Sequence, residues 1–170
     1  MTDSATLCHL AASNQCGFVE LNIDERNTGG HSIEYKRSTS ETPAIKVDAL
    51  TIDDICTKQN ISPEDVGFVW IDVEGHELSV LEGMSNLLEM KVPIVVEFDG
   101  RAHEQEGTNR LKEILRKNYE MIVDLRTIVR KEGGVSHIPI KDFWPPNGAR
   151  DLLRVCPNKN LSISQSYNSP

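Results

Sequence analysis

No stretch of this chain approaches the about twenty consecutive apolar residues that a membrane-spanning helix requires. The opening residues Met1-Thr2-Asp3-Ser4 resemble neither a signal peptide nor a transit peptide. We therefore predict a soluble, cytoplasmic protein that has no membrane partner.

Basic residues are also scarce. The 170 residues include 18 Lys and Arg against 26 Asp and Glu, a formal net charge of -8, and no basic cluster is interleaved with aromatic residues. Proteins that bind nucleic acid neutralise phosphates with such clusters, so the sequence predicts no nucleic-acid partner.

The chain has few cysteines, and they are widely separated. Cys8, Cys16, Cys56 and Cys156 form no CxxC pair. This spacing suggests neither a zinc site nor a disulfide framework. We expect reduced thiols that are mostly buried.

An apolar run that ends in carboxylates is the most informative feature that is present. Residues 68–77 read FVWIDVEGHE, so a strand leads directly into Asp72, Glu74, a glycine and a helix start. A continuous apolar run is typical of a strand covered on both faces in a parallel sheet. In open α/β sheets, ligands bind beyond the carboxyl ends of such strands.

The same arrangement recurs one unit later, at residues 93–100, where the apolar run ends in Glu97, Asp99 and a glycine. Apolar residues at helical spacing predict a helix near 76–90 between the two strands. Parallel strands are therefore expected near 67–73 and 93–98, joined by a right-handed crossover. The four acids would then share one edge of the sheet, each pair on a common face.

Acids at strand ends and helix starts also have structural uses, because they satisfy free backbone amides. We assign only that role to Glu77. Two acid pairs at equivalent strand ends favour a chemical role for the other four.

Local patterns indicate the remaining elements. A strand is expected over residues 17–23, an edge strand over 44–47 and a short helix that begins with the capping box of Thr51 and Asp54. A polar stretch at 101–108 is predicted to be an active-site loop. Beyond it we expect a helix with Leu111, Ile114 and Leu115 inward. A strand at 119–125, a hairpin at 128–135 and a last strand at 151–156 should follow.

Three ordered motifs carry a family resemblance. Residues 47–55 (VDALTIDDI), 69–83 (VWIDVEGHELSVLEG) and 92–98 (VPIVVEF) resemble the FkbM-type methyltransferases. The resemblance covers residues 17–156, and the loop from Asn27 to Ser32 is similar to a family loop near the acceptor. It implies an α/β fold of the Rossmann-like class I methyltransferase type, with a mainly parallel sheet and an antiparallel C-terminal strand. It also implies S-adenosylmethionine as cofactor and a hydroxyl group of a sugar or other small molecule as acceptor.

One family motif is absent from these residues. The family's glycine-rich turn, of the type Asp-x-Gly-Ala-x-x-Gly, is not found, and Gly29-Gly30 cannot replace it because no strand precedes it and no helix follows. The chain therefore resembles a partial fold, a single domain over residues 1–157 without the cofactor-binding half, followed by a disordered tail at 158–170. We expect weak cofactor binding and an exposed apolar edge at 68–74 that favours self-association or another partner.

Site roles follow from the motifs and the resemblance. Asp72 is predicted to face donor and acceptor, as a base or as a ligand to a divalent metal, with Glu74 as second catalytic candidate and His31 orienting the acceptor. Asp72 and Glu97 are predicted to contact the cofactor. The predicted contacts to the acceptor are Asn27, Gly30, Asp99 and His103.

Two other functions fit the same residues. Carboxylates at strand ends with His76 or His103 nearby also suit a metal-dependent hydrolase. A non-catalytic module that binds a partner through the exposed sheet edge is the other alternative.

Overall fold

The computed structural model describes residues 5–34, 43–99, 105–124, 138–139 and 150–156. It shows a mixed α/β fold with two sheets. In chain order the strands are β1 (Ala11–Ala12), β2 (Gly17–Asn22), β3 (Ala44–Leu50), β4 (Val69–Ile71), β5 (Ile94–Asp99), β6 (Met121–Asp124), β7 (Ile138–Pro139) and β8 (Arg150–Cys156). The helices are α1 (Ile52–Lys58), α2 (Glu77–Glu82), α3 (Ser85–Glu89) and α4 (Gln105–Asn118), with a 3₁₀ turn at Pro63–Asp65.

The first sheet is small and has the strand order β1-β3-β2. β1 runs parallel to β3, and β2 runs antiparallel to it, with Val19 opposite Val47. A strand was predicted at 44–47 and is present, but the prediction of an edge strand is wrong. β3 is the central strand of this sheet and extends to Leu50. This pairing places Ala12 opposite Leu50, shortly before α1 begins.

The second sheet has the order β4-β5-β8-β6-β7. β4 and β5 are parallel, as predicted, with Trp70 opposite Val95. The other neighbouring pairs are antiparallel, because β8 inserts between β5 and β6 and runs against both. Within the described residues the sheet is therefore mixed, and the mainly parallel, Rossmann-like sheet is not confirmed. The antiparallel direction of the C-terminal strand is confirmed.

The connection from β4 to β5 is helical, as predicted, but it is broken into α2 and α3. The break falls at Gly83, whose carbonyl accepts a hydrogen bond from the Asp53 amide at 3.1 Å. A Cβ at Gly83 would lie only 2.1 Å from the Ser13 carbonyl oxygen. Gly83 thus lets α1, the helix pair and the end of β1 approach one another.

The core lies between the second sheet and the helices on it. Ile71, Ile94, Val96 and Phe98 of the strands are at most 2 % exposed. They belong to one apolar cluster with helix side chains that include Leu81, Met84, Leu87, Leu111, Ile114 and Leu115. The predicted inward face of α4 is confirmed, which fits its helical spacing.

Several local expectations can also be compared with the structure. The Thr51 cap of α1 is confirmed, since Thr51 Oγ1 accepts from the Asp54 amide at 3.0 Å. The predicted loop at 101–108 is wrong from residue 105, where α4 begins. Cys16 is exposed, and Cys8 and Cys56 are half-buried, so the expectation of mostly buried thiols is wrong for these three. The predicted hairpin at 128–135 and tail at 158–170 lie outside the described residues.

Among the described residues, β4 is an edge strand of the second sheet, and exposed aromatic side chains lie in it and directly before it. Phe68 is 61 % and Trp70 is 58 % exposed. This agrees with the predicted apolar edge, whereas a partner there stays a prediction. In the described segments, every helix falls short of the length and apolar character needed to cross a bilayer.

Candidate functional site

A cavity of about 370 Å³ opens between the first sheet, the loop after β2 and the residues that follow β4. This volume lies within the range of about 300–1,000 Å³ that is usual for small-molecule pockets. One side of the cavity is apolar, formed by Leu10, Ala11, Ala12, Leu21, Ile33 and Val47. The polar side contains Asp72, Glu74, His31 and His76.

The two predicted acids reach the cavity through a turn. β4 ends at Ile71, so the alternation of a strand does not orient Asp72 and Glu74. The backbone instead passes through Glu74 and Gly75, which have φ angles of 44° and 99°. A left-handed conformation is costly for a residue with a side chain, about 1–2 kcal/mol. Ser32 Oγ donates to the Glu74 carbonyl at 2.7 Å and holds this turn.

The Glu77 side chain also stabilises this turn. Its side chain is 1 % exposed, and Oε1 accepts a hydrogen bond from the Gly75 amide at 2.9 Å. This amide precedes the N-terminus of α2, where free backbone donors attract carboxylates. The contact agrees with the purely structural role that we expected for Glu77.

His31 presents a hydrogen-bond donor at the cavity. Its Nδ1 accepts a hydrogen bond from the Asp24 amide at 3.0 Å. A ring nitrogen that accepts carries no proton, so the neutral ring carries its proton on Nε2. His31 in this state can donate a hydrogen bond to a ligand oxygen, which suits the predicted orienting role. Proton removal from a ligand then falls to the carboxylates.

The loop that holds His31 is organised by its own polar residues. Asp24 Oδ1 accepts from the amides of Arg26 and Asn27, and Asn27 Oδ1 accepts from the Gly29 amide at 3.2 Å. The Gly30 amide donates to the Asn27 carbonyl at 2.8 Å. Asn27 and Gly30 do not line the cavity, although Thr28 and Gly29 do. Their predicted contact with the acceptor stays a prediction.

His76 is tied to two distant parts of the chain. Its Nε2 lies 3.0 Å from Ser13 Oγ, and its Nδ1 contacts the carboxylate of Glu34. Because a carboxylate only accepts, Nδ1 donates to Glu34, whereas the direction of the bond between Nε2 and the Ser13 hydroxyl depends on the protonation of the ring. Both ring nitrogens are therefore engaged within the protein. Nothing in the sequence indicated Ser13 or Glu34, since 63 and 42 residues separate them from His76.

The other predicted site residues lie elsewhere. Glu97 is within β5, opposite Leu152 of β8, and does not line the cavity. Asp99 also lies within β5, opposite Arg150, rather than beyond the strand end. Asp72 and Glu74 thus meet at the cavity, whereas Glu97 does not line it. His103 lies outside the described residues.

The donor set is a poor match for a metal ion. Across the described part of the chain, no group of three or more His, Cys, Asp and Glu side chains is placed to hold one. His76 cannot serve as a ligand while both of its ring nitrogens are bound. We therefore assign no chemical step to a metal.

A family model matches most of the chain. Residues 1–134 match the family model described as the methyltransferase FkbM domain. The matched range contains all of the described residues that line the cavity. No curated protein and no solved structure matches the chain. Because the family model covers well over half of the 170 residues, the chain belongs to the FkbM methyltransferase family.

Proposed function

We propose that the cavity binds a small hydroxyl-bearing acceptor, such as a sugar, for methylation with S-adenosylmethionine as the methyl donor. The observation that carries this proposal is the pairing of Asp72 and Glu74 with the Nε2–H donor of His31 in one cavity. Membership of the methyltransferase family supplies the reaction type.

His31 and the two carboxylates have different roles toward the acceptor. His31 Nε2–H donates to an oxygen of the ligand and orients it. Asp72, or Glu74 as the second candidate, accepts the proton of the reacting hydroxyl and holds it on the carboxylate. General bases of this kind contribute typically about 10²–10⁴-fold to a rate. The apolar side of the cavity restricts water near the reacting oxygen.

The charge of the cavity fits a cationic donor. S-adenosylmethionine supplies an electrophilic methyl group on a positively charged sulfur. The Asp72 and Glu74 carboxylates both line the cavity. Asp72 and Glu97 remain the predicted cofactor contacts, with Glu97 farther from the cavity than the sequence indicated.

Transfer of a labelled methyl group tests this function. The chain, and the longest reading frame that contains it, would be incubated with methyl-labelled S-adenosylmethionine and a panel of hydroxyl-bearing sugars. We expect labelled methyl ether on at least one sugar and loss of labelling with Asp72→Asn. Absence of transfer with both proteins would contradict the proposal.

A metal-dependent hydrolase is the alternative reaction. It would require a hydrolytic rate that depends on magnesium or manganese in a protein that does not bind S-adenosylmethionine. A non-catalytic role would rest on the exposed Phe68 and Trp70 at the edge of β4. It predicts no reaction with any acceptor and loss of a partner when Trp70 is replaced.

A further inference from the structure

We infer that Ser32 is a positioning residue that holds the His31 donor in place relative to the Asp72 and Glu74 carboxylates. The inference rests on the proposed function, in that it treats the cavity as the acceptor site. Ser32 lies behind the cavity wall, because it is 1 % exposed and is not among the described lining residues. It therefore acts on the reaction through its neighbours and not through contact with the acceptor.

The Ser32 hydroxyl joins two segments that are far apart in the chain. Its Oγ donates to the Glu74 carbonyl at 2.7 Å, across 42 residues, and accepts from the Glu34 amide at 3.1 Å. A serine hydroxyl has a single proton, so the bond to Glu74 uses its donor. Such a bond is electrostatically stronger inside a protein than in water. The buried hydroxyl is thus well suited to fix the Glu74 backbone.

The backbone of Ser32 is fixed to the first sheet. The Asn22 amide donates to the Ser32 carbonyl at 2.9 Å, and the Ser32 amide donates to the Asn22 carbonyl at 3.1 Å. The side-chain Nδ2 of Asn22 donates to the same Ser32 carbonyl at 3.1 Å. Asn22 is the last residue of β2, so these bonds set the position of Ser32 relative to that strand.

The position of His31 depends on the same segment. His31 and Ile33 line the cavity, whereas Ser32 between them is buried, which is the alternation of an extended chain. A shift of Ser32 therefore moves the neighbouring His31. The Asp24 amide, which donates to His31 Nδ1, is a reporter for this part of the cavity.

The turn at Glu74 needs support from its surroundings. Glu74 has a φ angle of 44°, and a residue with a side chain keeps this left-handed conformation only where neighbouring groups hold it. Ser32 supplies one such contact at the Glu74 carbonyl. Loss of the hydroxyl would let the turn relax and move the carboxylates relative to His31. A misplacement of about 1 Å can cost about 10²-fold in rate.

A matched pair of variants separates positioning from stability. Ser32→Ala removes a buried hydroxyl that donates to a backbone carbonyl. Tyr119→Phe removes a hydroxyl of the same kind, since the Tyr119 hydroxyl donates to the Val92 carbonyl at 2.6 Å and Tyr119 is 2 % exposed. Tyr119 does not line the cavity. All measurements would be made at a temperature where circular dichroism shows each protein to be fully folded.

Hydrogen exchange followed by NMR tests the coupling without any ligand. The Gly75 amide donates to Glu77 Oε1 and reports on the turn, and the Asp24 amide reports on the His31 segment. In Ser32→Ala we expect both amides to exchange about tenfold faster or more. In Tyr119→Phe the change should be less than about threefold. Unchanged exchange of the Gly75 amide in Ser32→Ala would overturn the inference.

Steady-state kinetics tests the effect on the reaction, with a sugar that the unchanged protein methylates. Because Ser32 does not contact the acceptor, Ser32→Ala should lower kcat about tenfold or more and change KM by less than about threefold. Tyr119→Phe should leave both constants unchanged. An unchanged kcat, a change in KM alone or an equal loss in Tyr119→Phe would overturn the inference. Absence of transfer by the unchanged protein would contradict the proposed function, whereas the exchange rates would still decide whether Ser32 couples the two segments.

Discussion

Ser13 Oγ and His76 Nε2 lie 3.0 Å apart, although 63 residues separate them in the chain. Both side chains are buried, at 2 % and 5 % exposure. Ser13 follows β1, and its amide is bound to the Leu50 carbonyl of β3 at 2.9 Å. The hydrogen bond between Ser13 and His76 therefore connects the first sheet to the turn that contains Asp72 and Glu74.

Loss of the Ser13 hydroxyl should destabilise the protein. Ser13→Ala leaves a buried ring nitrogen of His76 without its hydrogen-bond partner, which costs about 1–3 kcal/mol of unfolding free energy. Ser62→Ala is the matched control, because Ser62 is exposed and makes no capping hydrogen bond through its side chain. Urea unfolding measures both. Equal unfolding free energies for the two variants would show that the contact contributes nothing.

Gly83 should tolerate no side chain. Gly83→Ala places a Cβ 2.1 Å from the Ser13 carbonyl oxygen, a backbone atom that cannot rotate away. We expect a loss of about 1–3 kcal/mol or more. Gly67→Ala is the control, since a Cβ there meets nothing within 4 Å. A melting temperature for Gly83→Ala equal to that of Gly67→Ala would contradict the close approach.

Asp72 should be required for the reaction but not for the fold. Asp72→Asn preserves size and should lower turnover about a hundredfold or more through loss of a base, with an unchanged melting temperature. Asp65→Asn, at an exposed position in the 3₁₀ turn, should leave both quantities unchanged. Near-normal turnover of Asp72→Asn would leave Glu74 as the leading candidate.

The Cys16 thiol donates to Asp54 Oδ2 at 2.9 Å, and this bond, followed by that from Thr51, lowers the pKa of Asp54. A folded pKa below the unfolded value of about 3.9 stabilises the fold above that value. This contribution is lost as the pH falls through the folded pKa. Cys16→Ala should therefore make stability less dependent on pH between about 4 and 2. Thermal unfolding across this range is the measurement, and an unchanged slope would contradict the assignment.

The isolated chain should bind S-adenosylmethionine weakly or not at all. No glycine-rich turn in these residues follows a strand and aims backbone amides at a ligand. Calorimetric titration of the chain is the test, with heat-denatured chain as the control. A dissociation constant in the micromolar range would show that the cofactor site is built from other residues.

Local signals predicted much of the fold. Thr51 and Asp54 of the capping box are three residues apart, and the inward face of α4 follows from helical spacing. Both features depend on residues close together in the sequence and could therefore be predicted from it. The order of the second sheet was not readable. Insertion of β8 between β5 and β6 depends on pairing between segments far apart in the chain.

Part of the candidate site could also be predicted from the sequence. Asp72 and Glu74 stood out because an apolar run stops before them, and the structure places both at the cavity. The reason given for their shared face was wrong, since a left-handed turn at Glu74 replaces the strand. No sequence pattern around Ser13 or Glu34 indicates a role for them, because each acts only through its contact with His76 in the folded protein.

The long separation between Ser13 and His76 also bears on the order of folding. β4, α2, α3 and β5 are consecutive in the chain and can pair early, whereas the cavity needs residues 10–33 to meet residues 72–76. Closing a longer loop costs more chain entropy, so contacts of this kind form late. We therefore expect the cavity to close after the unit from β4 to β5 and to open before it. A ligand that occupies it would slow this opening, and protection of the Gly75 amide from hydrogen exchange would report the occupancy.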